Sequence, residues 1–175
     1  MKTVRFVANI LFYISRIFSL LFFITTIYAL VVLILSTVSH SPRLPVEIKS
    51  DGFKIFYPFT RTTFLLGDYT ASYLITSLFT IAFYGLFLWL LSGVFHAFRQ
   101  AKLFTKRSVN RLSRFYITNL IAPVLFLILL AAWSEEFSDI TRIIFLHLVI
   151  GVFAFFMAAI FKQGLLLQEE QDMTF

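Results

Sequence analysis

The dominant pattern along the chain is four long intervals without a charged residue, separated by short polar segments. The first runs from Ile17 to about Ser39, between Arg16 and the polar run His40, Ser41, Pro42, Arg43. The second fills the interval between Asp68 and Arg99 and is densest from Tyr73 to Phe98; the third is Phe115 to Ser134 and the fourth Ile143 to Phe161. A spanning helix needs roughly 20 mainly apolar residues, so each interval qualifies. The pattern predicts an all-α integral membrane protein, a single membrane domain over 1–175 with four transmembrane helices at about 10–39, 69–98, 115–134 and 143–161. Phe6 to Ser15 continues the first helix along the interface, and Arg16 reaches the headgroups. The first apolar stretch exceeds the ~7 to 15 residues of a signal-peptide core and has no small-x-small cleavage site before Pro42, so it reads as a retained helix.

The polar connections carry their own patterns. In the loop 40–68, Val46, Ile48, Phe53, Ile55 and Tyr57 alternate with Glu47, Lys49 and Lys54, and Asp51-Gly52 is a favoured two-residue turn. Pairing across that turn sets Ile48 against Ile55 and Val46 against Tyr57 on one apolar face, whereas a three-residue turn would oppose Ile48 to Lys54. The expectation is a small β-hairpin between the first and second spans. Because an isolated hairpin is marginal in water, its apolar face must pack on the helix ends or on a partner, as a cap or as a ligand or peptide sensor.

The loop 99–114 holds six basic residues and no acidic one. Thr105 is placed as an N-cap, with Phe104 and Val109 as a hydrophobic staple, and Val109, Leu112 and Tyr116 recur at helical spacing into the third span. Such a cluster signals topology and attracts anionic lipid; it can also bind an acidic protein partner. Direct nucleic-acid binding is not expected, since no recognition-helix pattern surrounds the patch. In the tail 162–175, Gly164 is placed as a helix stop before Leu165, Leu166, Leu167, three acids and Met173-Thr174-Phe175. The tail is then a frayed end, a segment lying on the basic loop of the same chain, or an element added to a partner.

Charge and composition give the arrangement a direction and narrow its chemistry. Hydrophobic residues are 59% of the chain, against roughly 45 to 50% in soluble domains, and 24 of the 175 positions are Phe. If the spans alternate, the termini and the loop 99–114 carry a net charge of +7 and the other connections −1, which together make the +6 of the chain. The positive-inside rule then puts both termini and that loop in the cytoplasm and the hairpin outside it. With no Cys, thiol nucleophiles, disulfides and thiolate metal centres are excluded.

Polar groups at membrane depth are few: Asn119, His96, His147 and scattered hydroxyls. No span contains two carboxylates, so acid–base hydrolysis has no machinery, and no catalytic, metal or cofactor site is predicted. His96 and His147 read as interfacial or interhelical hydrogen-bonding residues, with a proton relay as the other option. Pro123 should kink the third span, while Gly151, Ala154 and Ala158 form a small-residue stripe on the fourth. A transporter would show paired broken helices, and no such repeat is visible. A small-molecule or ion transport or channel subunit acting as a homo-oligomer stays open as the alternative function.

Two motifs carry a resemblance. The segment Leu103-Phe104-Thr105 followed by Asn110-Arg111-Leu112, and the terminal run from Phe161-Lys162-Gln163-Gly164 to Leu167-Gln168-Glu169-Glu170-Gln171-Asp172-Met173-Thr174-Phe175, are similar to the patterns of bacterial four-helix membrane proteins grouped as the domain-of-unknown-function 2975 family. Members of that family are commonly encoded beside a very small Cro/CI-type helix-turn-helix protein. The resemblance implies a non-enzymatic regulatory protein of the bacterial inner membrane that binds or sequesters such a regulator. The residues expected to do so are Phe104, Thr105, Lys106, Arg107, Asn110 and Arg111 of the loop, with Glu169, Glu170, Asp172, Met173 and Phe175 of the tail.

Overall fold

The computed structural model of the protein describes residues 2–39, 44–49, 52–132 and 138–173. Four helices, α1 (Lys2–Val38), α2 (Ala71–Arg99), α3 (Lys106–Ala132) and α4 (Ser138–Asp172), accompany three strands, β1 (Val46–Lys49), β2 (Gly52–Phe56) and β3 (Thr63–Gly67), which lie between α1 and α2 in the chain. All four helices are long and apolar enough to cross a membrane. Large apolar side chains such as Phe6, Ile24, Ile128, Phe145 and Phe153 stand exposed along them, as lipid-facing residues would. Contacts divide the chain into two compact units, one of Met1–Ser19 with Leu86–Phe175 and one of Leu20–Gly85.

In the first unit, α3 and α4 form an antiparallel pair. The buried positions of α4 are Ile144, His147, Gly151, Ala154, Ala158 and Phe161, spaced alternately by three and four residues. A repeat of 3.5 residues keeps one seam of a helix facing its neighbour. The facing side chains of α3 are Ser108, Leu112, Phe115 and Asn119, set at the same alternation. A side chain on Gly151 would lie 2.8 Å from Cδ2 of Leu120, so α3 rests directly on the backbone of α4 and the expected small-residue stripe is a packing surface. Ala97 of α2 joins Leu112, Ala158 and Phe161 in the same core. Pro123 sits inside a helix that continues on either side of it.

The start of α3 is where the cap read at Thr105 puts it, at Lys106, so most of the basic loop is helical and 100–105 is the connection. One boundary differs from expectation. Gly164 does not stop the fourth helix, which continues to Asp172. The reason is a neighbour: the ring of Phe104 packs where a side chain at Gly164 would be, 2.6 Å from the position of its Cβ. The glycine therefore admits a ring to the helix backbone instead of ending the helix, and the Leu, Gln and Glu residues after it favour continuation.

In the second unit, the expected hairpin is a three-stranded antiparallel meander in the order β1-β2-β3. Of the face read from the alternation, Phe53 and Ile55 are buried and pack on Ala29, Val32 and Leu33 of α1 with Val46 partly buried beside them, whereas Ile48 and Tyr57 are exposed. The register is shifted by two residues, with Val46 opposite Ile55 and Ile48 opposite Phe53. A shift of two preserves the apolar face. It moves Gly52 out of the turn and into β2, where its Cα approaches the Gly67 carbonyl so closely that a Cβ would be 2.6 Å from the oxygen. Tyr57 lies beyond the strand and meets Phe64 edge-on at 5.3 Å. Tyr28 of α1 donates its hydroxyl to the Phe56 carbonyl at 2.7 Å, and Tyr73 of α2 donates to that of Leu66 at 2.8 Å. Packed in this way, the sheet caps the helix segments of its own unit.

Candidate functional site

The start of α3 is built by its cap. The backbone N–H of Ser108 donates to Oγ1 of Thr105 at 3.1 Å, and the two hydroxyls are 2.9 Å apart. This satisfies an otherwise orphaned helix N-terminal donor and fixes the path of the preceding residues. Phe104 is thereby held over Gly164, with its ring centroid 5.4 Å from that of Phe161 and edge-on to it. One turn further along α4, Glu169 Oε1 lies 3.7 Å from Nζ of Lys106. Of the arrangements open to the tail, it adopts the one in which it lies on the basic segment of its own chain, as a helical extension.

The residues expected to bind a partner divide accordingly. Phe104 and Thr105 are structural, forming the joint and the cap. Lys106, Arg107 and Asn110 are exposed on the first turn of α3, and Glu170, Asp172 and Met173 are exposed at the end of α4. Glu169 is half-buried against Lys106. Arg111 is turned elsewhere: its Nη1 donates to Nδ1 of His96 on α2. Phe175 lies outside the described residues.

That arginine belongs to a second constellation in the same unit, a cavity of about 220 Å³ lined by Phe12, Arg16, Trp89, Leu90, Ser92, Gly93, His96, Arg111 and Arg114. Arg16, assigned from sequence to the headgroup region, has its guanidinium carbon 3.0 Å from the ring centroid of Trp89 and donates to Oγ of Ser92 at 3.4 Å. Ser92 in turn donates to the Trp89 carbonyl at 2.6 Å. Beside it, Arg99 stacks on Phe12 at 4.5 Å. Trp89, Ser92 and His96 recur at helical spacing on one face of α2, a signal present in the sequence but without meaning until Arg16 and Arg111 are known to face it.

The third polar feature lies deeper. His147 Nδ1 donates to Oδ1 of Asn119 at 2.9 Å, and Nδ2 of Asn119 donates to the Phe115 carbonyl at 2.8 Å. Both side chains are buried, and the edge of the His147 ring meets Phe87 at 5.0 Å. His147 is thus an interhelical hydrogen-bonding residue, one of the two roles expected of it.

Neither a curated protein nor a solved structure matches the chain. Residues 43–175, about three-quarters of the sequence and including the sheet, α2 to α4, and the joint between loop and tail, match the profile of a family described as proteins of unknown function. The chain therefore belongs to the DUF2975 family.

Proposed function

We propose that this protein is a non-enzymatic regulatory protein of a bacterial inner membrane, with both termini and the basic segment 99–114 in the cytoplasm, that binds a small helix-turn-helix transcriptional regulator at that face. The orientation is supported by the charge asymmetry of the sequence. The binding role is supported by one observation, the joint that sets the start of α3 beside the end of α4. Phe104 on Gly164 and Lys106 beside Glu169 hold the exposed Lys106, Arg107 and Asn110 in one neighbourhood with the exposed Glu170, Asp172 and Met173.

A nucleic-acid site is uniformly basic. This surface carries both signs and an apolar anchor, the 79% exposed Met173, which suits a folded protein partner with its own charge pattern. Holding a DNA-binding protein here would keep it from the chromosome, and releasing it would return it.

The test is co-purification in mild detergent of the full-length protein with a candidate small helix-turn-helix protein. Recovery should fall sharply when Lys106 and Arg107 are both changed to Glu, with helical content unchanged. Equal recovery with the charge-reversed protein, or none with the natural one, would overturn the reading.

A further inference from the structure

The cavity between α1, α2 and α3 concentrates positive charge without an answering acid. Arg16, Arg111 and Arg114 line it, and no acidic side chain does so among the described residues. Arg99 stacks on Phe12 of the cavity wall, and its Nη1 is buried with no hydrogen-bond partner among the described residues. A guanidinium offers five N–H donors. Among the described residues, the hydrogen bonding of Arg16 is to Ser92 and that of Arg111 to His96. Most of the donors around this space therefore have no protein acceptor among the described residues.

The walls are also pre-set. The Trp89 ring holds the Arg16 guanidinium by a cation–π contact, and Ser92 fixes its rotation. The Nδ1 of His96 receives an N–H of Arg111, which requires that nitrogen to be unprotonated, so His96 orients the arginine without adding to the repulsion. Arginines that line one cavity with no acid among its lining residues are stabilised by an anion taken into it. Planar guanidinium forks fit the oxygens of phosphate in particular.

We propose that the cavity lined by Arg16, Ser92, His96, Arg111 and Arg114 is a binding site for a phosphate group, with Arg16 and Arg111 as its principal ligands. At about 220 Å³, against about 30 Å³ for a water molecule, it takes a phosphate with several waters or with a glycerol attached. Its α2 and α3 residues fall in the last turns of α2 and the first turns of α3, and they are joined by Phe12 and Arg16 of α1. Under the proposed orientation that is the headgroup level of the cytoplasmic leaflet, where basic pockets between helices meet lipid phosphates. The same chemistry serves a free phosphate entering from the aqueous side.

Trp89 supplies the readout. In a Trp133→Phe background it is the one tryptophan left in the sequence, and its emission responds to the guanidinium stacked on it. The purified full-length protein in neutral detergent is titrated with dihexanoyl phosphatidic acid, with inorganic phosphate, and with chloride at matched ionic strength. A saturable change with phosphatidic acid alone identifies a lipid headgroup site, and one with inorganic phosphate as well identifies a site open to free phosphate; chloride should give no saturation.

Arg111→Gln should weaken binding at least tenfold, and Arg111→Lys, which keeps the charge but loses the fork, should fall between the two. Lys102→Gln, an exposed loop position outside the cavity, should leave it unchanged. Circular dichroism checks that each variant is folded. No saturable response to either phosphate compound, or equal weakening by Lys102→Gln and Arg111→Gln, would overturn the proposal.

Discussion

The Nδ1–H of His147 donates to Oδ1 of Asn119 at 2.9 Å, joining α4 to α3 through two side chains that are almost wholly shut from the surface. In an apolar seam such a bond gains little over solvation, yet breaking it from one side strands a buried polar atom. Its energetic meaning lies in that asymmetry.

Replacing Asn119 by Leu removes the acceptor of this bond, and replacing His147 by Leu removes its donor. Each single change should destabilise the helix pair by about 1 to 2 kcal/mol, between the cost of an unmet buried group and the smaller averages found for membrane helices. The double change to Leu should cost less than the sum, because neither polar group is then left behind. Unfolding in mixed micelles measures all four proteins as a cycle; strictly additive losses would mean the two side chains are not coupled.

Gly164→Ala should also destabilise, contrary to the usual effect of alanine in a helix. Gly to Ala in a helix interior ordinarily gains roughly 0.5 to 1 kcal/mol. Here the added methyl would stand 2.6 Å from the Phe104 ring, so the ring must leave its place against Phe161. A lowered melting temperature for Gly164→Ala, largely restored when Phe104→Leu is added, is the expected pattern. A raised melting temperature would show that the joint gives way freely.

The orientation can be read with reporters fused after Gly52, Thr105 and Phe175. The +7 against −1 imbalance predicts an extracytoplasmic signal from the first and cytoplasmic signals from the other two. Four helices long and apolar enough to cross a membrane would give the same alternation if each crosses once. A cytoplasmic signal after Gly52 would break the scheme at its first connection.

What was legible in the sequence follows the range of the forces involved. Uncharged length located the helices, since lipid tolerates nothing else over some 20 residues. Period-two alternation found the inward face of β2, because that depends only on parity, but not that Ile48 of β1 stands exposed. It did not find the register, which rests on Gly52 lying against the backbone of Gly67. Nor did it show β3, whose Phe64, Leu65 and Leu66 run together without alternating. Thr105 was readable as a cap because the bond it makes is three residues long. Gly164 was misjudged because its reason, Phe104, is 60 residues away. The arginine cavity was invisible for the same cause: Arg16, Trp89 and Arg111 lie on three helices and meet only when folded.

Removing Leu167 to Phe175 separates stability from recognition. The deletion takes the last turns of α4, in which Leu167, Glu170, Asp172 and Met173 are exposed, and it leaves Phe161, Gly164 and Phe104 in place. The ion pair of Lys106 with Glu169, which it removes, is between side chains that are 82% and 46% exposed, and such pairs are worth about 0 to 1 kcal/mol. Thermal stability should therefore drop little, since an exposed chain end tolerates truncation. Binding of the helix-turn-helix partner should fall much further, because the acids and Met173 leave together. Charge alone is too weak to account for a large loss, so Met173→Ser by itself should weaken binding at least as much as Glu170→Gln. Co-purification of the partner with the full-length, truncated and point-substituted proteins, compared across salt concentrations, separates the two contributions. The charged part should fade as salt rises, while the Met173 part should persist. Equal recovery with the truncated chain would move the partner off this end of α4 altogether.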